Sequence, residues 1–185
     1  MTEMKFFRAA YQGNVEVVKE ILKNYPNLEV NSADERGALY TACEHGHDSI
    51  VSILLAHPGI DVNQRSDGVT PFMIACRCGF PTCAPMLLGD SRVKVNEPGG
   101  DGSTPLTEAA SEGRLDVIKW WIASEREMNL GTPGNEEMDA IGEAEKEGKT
   151  EVVALLERFK GDATKTRGEI RMELGITGQS PALRH

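Results

Sequence analysis

Glycines recur along this chain at a nearly constant interval. The five positions are Gly13, Gly46, Gly79, Gly113 and Gly148, separated by 33, 33, 34 and 35 residues. Four asparagines follow nearly the same period, and they are Asn31, Asn63, Asn96 and Asn129. Such a period is typical of stacked small units, none of which can bury its apolar face alone. A stack offers an extended surface and no enclosed cavity, so the sequence predicts binding to another macromolecule without identifying it.

The third unit shows how each repeat is expected to fold. The dipeptide Asp67-Gly68 predicts a tight turn, because glycine tolerates positive φ. Thr70 and Pro71 fit the N-cap and first residue of a helix, where the missing proline N–H costs nothing. Gly79 fits the left-handed residue that ends this helix. A second apolar run follows, so each unit is predicted to be turn, helix, loop, helix and loop.

The residues resemble the ankyrin repeat family over about residues 4–160. The matching pattern is Gly-x-Thr-Pro-Leu-x-x-Ala-Ala-x-x-Gly, then an apolar Leu-Leu pair, then Asp-Val-Asn. The resemblance implies an all-α solenoid of stacked helix-turn-helix units with short turn or β-hairpin fingers. It divides the chain into a repeat domain and a C-terminal tail. The expected ranges are 1–32, 33–64, 65–97, 98–130 and 131–160 for the repeats, which form domain 1–160, and 161–185 for the tail.

The chain departs from the family pattern in three places. Tyr40, Met73 and Thr107 replace the usual histidine, so the threonine–histidine hydrogen bond of the family is not expected. Pro85 falls in the second helix of the third unit, where it predicts a bend or a later start. The turn-rich segment 130–135 indicates that the fifth unit packs differently.

Composition and charge restrict the compartment and the partner. No basic region followed by an apolar stretch opens the chain, and no apolar run approaches the about 20 residues of a transmembrane helix. The four cysteines form no recognisable disulfide framework, so we expect reduced thiols and a cytoplasmic location, with the nucleus as the alternative. The net charge of −9 argues against nucleic acid and anionic membranes. It favours a monomer that binds a basic protein or peptide, although acidity that only maintains solubility remains an alternative.

Three groups of residues that could form a metal, catalytic or phosphate-binding site are interpreted as structural. Cys76, Cys78 and Cys83 with His45 or His47 could suggest a zinc site, but the resemblance places Cys76 in the core and Cys78 on the concave surface. Cys78 with His45 lacks an orienting acid and oxyanion donors. The segment 99–102 lacks the Gly-Lys-Ser/Thr ending of a phosphate loop. We therefore predict no enzyme activity, no metal site and no cofactor.

The family resemblance implies a binding surface made of the turn tips and the exposed side of the first helices. The candidate residues are Tyr11, Gln12, Asp34, Arg36, Glu44, His45, Asp67, Arg77, Cys78, Asp101, Ser103, Ser111 and Glu112. Tyr11, Arg36 and Arg77 are the residues expected to contribute most, because aromatic and arginine side chains dominate interface energetics. Merely solvated helix faces remain the alternative for each residue.

Two further features concern the second helices and the loops. Ile53, Met86, Trp120 and Leu155 occupy equivalent positions and are predicted to form either an apolar ridge or ordinary packing between helices. The tail segment 167–176 fits a helix or a strand, and it could cap the last repeat or begin another region. The family also implies that Asn63 and Asn96, each eight residues after a leucine, are candidates for hydroxylation, although loop hydrogen bonding is the preferred interpretation.

Two classes of function follow from the sequence. The preferred one is a non-catalytic protein-interaction scaffold or adaptor that binds its partner through the concave face and the finger tips. The alternative is a regulatory or targeting segment of a larger multidomain enzyme.

Overall fold

The computed structural model describes residues 2–31, 36–131 and 139–177. Within these ranges lie eleven helices: α1 (Thr2–Tyr11), α2 (Val15–Asn24), α3 (Ala38–Glu44), α4 (Asp48–Leu55), α5 (Pro71–Cys78), α6 (Cys83–Gly89), α7 (Pro105–Ser111), α8 (Leu115–Ala123), α9 (Ala140–Lys146), α10 (Thr150–Gly161) and α11 (Ala163–Glu173). None of the helices in this described part combines the length and the apolar character that crossing a bilayer requires.

The first ten helices form five pairs that stack in two layers. The first helices of neighbouring pairs pack side by side, from α1 through α3, α5 and α7 to α9. The second helices pack likewise, from α2 through α4, α6 and α8 to α10. One continuous apolar core runs between the layers. The predicted all-α stack of helix pairs is confirmed.

The fingers that precede α5 and α7 are turns with little strand character. The one isolated β-bridge in the described ranges joins Ser66 and Val69, whose backbone groups exchange two hydrogen bonds of 2.9 Å. The tip of this finger contacts the next one, since Gly100 N–H donates to the Gly68 carbonyl at 3.2 Å. The segment 132–138, which includes most of the turn-rich segment, lies outside the described residues.

The first helices begin and end as the sequence predicts. The Thr70 hydroxyl accepts the Met73 N–H at 3.2 Å, Pro71 is the first helical residue, and Gly79 ends α5 with φ of 75°. In α7 the hydroxyl of Thr107 accepts the Thr104 N–H at 2.8 Å, while the Thr104 hydroxyl accepts the Thr107 N–H at 3.2 Å. Thr107 therefore provides a reciprocal cap with its hydroxyl, although the expected histidine is missing.

The later start of the helix that contains Pro85 is confirmed. The helix α6 begins four residues after Gly79, whereas α4 begins two residues after Gly46. Pro85 thus falls in the first turn of α6, where backbone N–H groups have no partner within the helix. The Met86 N–H makes a helical bond to the Thr82 carbonyl at 3.1 Å, so the proline removes no bond from this helix.

The periodic asparagines connect successive loops. The Asn63 amide donates to the Arg92 carbonyl at 2.9 Å, and its oxygen accepts the Lys94 N–H at 2.9 Å. Asn31 and Asn96 bridge the loops at their own steps in the same way. Their bonds reach Gly59 and Asp61 from Asn31, and Glu127 and Asn129 from Asn96. The interpretation of these asparagines as residues that hydrogen-bond their neighbours is confirmed.

We expect Asn63→Ala to lower the free energy of unfolding by about 1–2 kcal/mol, because two hydrogen bonds between loops are lost. Asn129→Ala is the matched control, since the Asn129 side chain accepts a bond at 3.0 Å from Gly131 N–H within its own loop. Urea denaturation followed by circular dichroism measures both variants. Equal losses in the two variants would contradict a role for Asn63 in joining the loops.

The tail forms a helix, which decides between the helix and strand alternatives. The helix α11 packs against α8 and α10, with Ile170 buried at 1% exposure. Arg167 Nε donates to the Ile122 carbonyl at 3.0 Å, and Lys119 pairs with Glu173 at 2.6 Å. The helix α11 thus lies against the layer of second helices. It contacts α8, which contains Trp120, and α10, which contains Leu155.

The tail also repeats a contact that the loops make elsewhere. Arg92 donates to the Leu55 carbonyl at the end of α4, and Arg126 donates to the Leu88 carbonyl near the end of α6. For α8 the corresponding donors come from α11. Cations near a helix C-terminus stabilise its unbonded carbonyls. A capping role for the tail remains a prediction that this geometry supports.

The equivalent apolar positions of the second helices are not an exposed ridge. Leu155 is 5% exposed, and Ile53, Met86 and Trp120 are partly buried against the core. Ordinary packing between helices, the alternative considered above, accounts for all four.

Candidate protein-binding surface

The candidate surface is formed by the exposed sides of α1, α3, α5, α7 and α9 with the adjoining fingers, and we call it the first-helix face. Of the predicted residues, Tyr11, Gln12, Arg36, His45, Asp67, Asp101 and Glu112 are exposed. Glu44, Arg77, Cys78, Ser103 and Ser111 are partly buried. Asp34 lies outside the described residues. That this surface binds a partner remains a prediction.

An aromatic cluster lies at the amino-terminal end of the first-helix face. The Tyr11 ring meets the His45 ring edge-on, with centroids 4.7 Å apart, and the His45 ring stacks on His47 at 5.8 Å. His47 Nε2 lies 3.0 Å from the Tyr11 carbonyl, and His45 Nδ1 lies 3.0 Å from the Thr41 carbonyl. These contacts hold the rings in place, so Tyr11, His45 and His47 would lose little side-chain entropy when a partner binds them.

Arg36 and Glu44, predicted as separate contact residues, form one unit. The Arg36 guanidinium donates to Glu44 Oε1 at 2.6 Å and lies 5.6 Å from the centre of the Tyr40 ring. The hydrogen bond to Glu44 raises the pKa of Arg36 above its ordinary value. A groove of about 370 Å³ opens beside this pair between α1 and α3. Its lining residues are Phe7, Arg8, Tyr11, Arg36, Thr41 and Glu44.

Arg77 is held in place by a carboxylate of the next pair. Its Nε and Nη2 donate to the two oxygens of Glu108 at 2.7 and 3.0 Å, a bidentate pair that is the main cause of the raised pKa of Arg77. Ser103 Oγ lies 2.7 Å from Asp101 Oδ1 and 3.0 Å from Glu108 Oε1, and its single hydroxyl proton is shared between these two carboxylates. A second groove of about 260 Å³ lies between α7 and α9. Its lining residues are Asp101, Ser103, Thr107, Glu108, Ser111, Glu143 and Lys146.

Several residues of this face were missed by the sequence reasoning. Phe7, Arg8, Glu108 and Glu143 line the two grooves, and each lies four residues before a position next to the repeating glycines. Residues i and i−4 share one side of a helix. Extending the candidates by one helical turn would therefore have found them.

The cysteines are arranged as a packed group with one member at the surface. Cys43, Cys76 and Cys83 are buried and Cys78 is partly exposed, which confirms the expectation for Cys76 and Cys78. Cys83 Sγ donates to Asp48 Oδ1 at 3.1 Å. Burial is the main cause that raises the pKa of all four thiols, that of Cys83 to about 12. In the described ranges no three histidine, cysteine or acidic residues form a group that could hold a metal ion.

Cysteine alkylation should therefore distinguish the surface thiol from the buried ones. We expect iodoacetamide at pH 8 to modify Cys78 alone in the folded protein, and slowly, because the thiolate is the reacting form and its pKa is raised. All four thiols should react in urea, and intact-mass spectrometry counts the added groups. Labelling of Cys43 in the folded protein as fast as that of Cys78 would show that Cys43 is accessible to solvent.

A stack of helix pairs that shares one continuous core and presents a polar, grooved face defines a helical repeat protein. A family model for ankyrin repeats, with three copies, matches residues 6–98. This match covers half of the chain, and the chain belongs to the ankyrin repeat family. Ankyrin repeats are generally non-catalytic modules for protein–protein interaction.

Known proteins with similar sequences include an ankyrin repeat and KH domain-containing protein, a latrotoxin and an osteoclast-stimulating factor. The chain is 35% identical over 96 residues to the ankyrin repeat and KH domain-containing protein mask of Drosophila melanogaster. It is 30% identical over 112 residues to alpha-latrotoxin-Lg1a of Latrodectus geometricus, and 42% identical over 59 residues to osteoclast-stimulating factor 1 of Xenopus laevis. These matches cover 50%, 58% and 31% of this chain, but only 2%, 8% and 27% of the relatives.

Proposed function

We propose that this chain is a non-catalytic scaffold or adaptor that binds a partner protein or peptide through its first-helix face and finger tips. The observation that supports this most is the groove between α1 and α3, where Tyr11 is 58% exposed and Arg36 is held by Glu44. Tyrosine and arginine held in fixed conformations beside a groove are typical of residues that dominate binding energy.

The remaining parts of the proposal concern the partner and the compartment. We propose a basic protein or peptide as partner, because the net charge of −9 steers basic molecules towards the chain and repels nucleic acid. The same charge opposes self-association, which supports a monomer. The four free thiols support a reducing compartment, the cytoplasm or the nucleus. We also propose residues 1–160 as the repeat domain.

Affinity capture from a native lysate, followed by titration of the recovered partner, tests the proposed function. The variant Tyr11→Ala/Arg36→Ala should raise the Kd at least tenfold, because it removes the exposed ring and the guanidinium of the groove. The matched control is Tyr25→Ala/Lys23→Ala at the end of α2, where Tyr25 is 51% exposed. Circular dichroism checks that both variants fold. A partner that binds all three proteins equally would place the binding surface elsewhere.

A further inference from the structure

Exposed apolar side chains are concentrated on one helix of the first-helix face. The large apolar residues that are most exposed in the described ranges are Met4 (63%), Tyr11 (58%), Tyr25 (51%) and Met172 (75%). Two of them lie on α1, and Phe7 lies between them at helical spacing. Positions i, i+3 and i+7 share one side of a helix, so Met4, Phe7 and Tyr11 form an apolar stripe along α1. Phe7 packs partly against the core and the Tyr11 ring meets His45, while Met4 and Tyr11 remain largely exposed. Phe7 and Tyr11 of this stripe line the groove between α1 and α3.

The two grooves of the first-helix face differ in charge. The groove between α1 and α3 is lined by Arg8 and Arg36 but only one carboxylate, that of Glu44. The groove between α7 and α9 is lined by three carboxylates and one lysine, which are Asp101, Glu108, Glu143 and Lys146. Arg77 pairs with Glu108 and Lys146 pairs with Glu143, so the carboxylates of this groove still outnumber the cations by one. Next to it, Glu147 adds an exposed carboxylate, whereas the exposed carboxylate of Glu112 pairs with Arg114 at 3.5 Å. A basic segment is therefore favoured at the α7–α9 end and disfavoured at the α1–α3 end.

We propose that the partner is an extended peptide segment with an apolar anchor at one end and basic residues at the other. A large aliphatic or aromatic side chain enters the groove between α1 and α3, and lysine or arginine side chains lie over the groove between α7 and α9. The two grooves are three helix-to-helix steps apart. At about 8–10 Å a step this is about 24–30 Å, which about seven to nine extended residues span.

This inference rests on the proposed function, because the peptide is the partner proposed for the same surface. A second copy of this chain is a poor occupant, since each copy has a net charge of −9. The charge difference between the grooves also determines which end of the peptide lies over which groove. A basic peptide without an apolar anchor would meet only one end of the surface.

Selection from a random library of 16-residue peptides displayed on phage, with the whole purified chain as bait, tests the inference. We expect enriched peptides to contain a large apolar residue and at least two lysines or arginines about seven to nine positions away. The Kd of a synthetic copy of the enriched peptide should rise at least fivefold with Tyr11→Ala. With Glu143→Gln/Glu147→Gln it should also rise at least fivefold, and its salt dependence should weaken.

Matched variants on the opposite layer serve as controls. Tyr25→Ala removes an equally exposed ring, and Glu16→Gln/Glu20→Gln removes two exposed carboxylates of α2, so both should leave the Kd unchanged. Enrichment of acidic peptides, of no peptide, or of peptides unaffected by Tyr11→Ala would overturn the inference. If such peptides bind more weakly to the Arg36→Ala variant, the proposed function would still be supported. Peptides whose Kd is unchanged by every substitution on the first-helix face would count against both the inference and the proposed function.

Discussion

Trp121→Ala is expected to lower the free energy of unfolding by about 3–5 kcal/mol, the largest effect of any single truncation in this chain. The Trp121 side chain is completely buried in α8, and its ring meets Phe72 edge-on with centroids 5.0 Å apart. Its indole N–H donates to the Glu127 carbonyl at 3.2 Å. The substitution thus opens a cavity between neighbouring pairs and breaks the bond that holds the loop after α8.

The neighbouring tryptophan offers a control within the same helix. Trp120 is only partly buried, so Trp120→Ala should cost less than half as much. The two variants change the same residue type at adjacent positions, which separates burial from composition. Urea denaturation followed by circular dichroism measures both, and similar losses would show that Trp121 does not anchor the core.

Gly46→Ala is expected to cost about 2–4 kcal/mol from two separate causes. Gly46 has φ of 69°, a conformation in which a Cβ is strained. A Cβ at this position would also lie 2.6 Å from Cδ1 of the Phe80 ring, which comes from the next pair. Since a Cβ and a ring carbon cannot lie this close together, either the Phe80 ring or the backbone at residue 46 has to move.

Gly148→Ala isolates the first of these causes. Gly148 has nearly the same φ of 66°, but a Cβ built there meets no atom within 4 Å. We expect it to cost only about 1–2 kcal/mol, the strain of the left-handed conformation. The difference between the two variants measures the contact with the next pair in the same denaturation experiment. Equal costs would mean that the contact with Phe80 contributes nothing.

The repeating glycines show why so much of the fold could be predicted. His47, Phe80, Arg114 and Lys149 each come from the following pair and lie against Gly13, Gly46, Gly79 and Gly113 respectively. Each glycine therefore meets a backbone requirement and a packing requirement at once. Both requirements recur with every unit, which makes them visible as a period in a single sequence.

The candidate surface was predicted less completely than the fold. Residues next to the glycines identify its edge, but the grooves also depend on residues one helical turn earlier, such as Phe7 and Glu108. Arg77 was expected to be a contact residue, and the structure shows it engaged by Glu108 from the next pair. Such pairs join residues about 30 positions apart and follow no sequence pattern.

The amino-acid sequence by itself determined the helix pairs, their order and the ends of first helices such as α5, because turn, cap and glycine signals act over a few neighbouring residues. Only the tertiary structure decided which side chains meet across the pairs, as Arg77 meets Glu108, and where the tail helix α11 packs. The physical reason is that contacts between units depend on the distance and angle at which helices stack. These quantities are set by the whole core and not by any local segment.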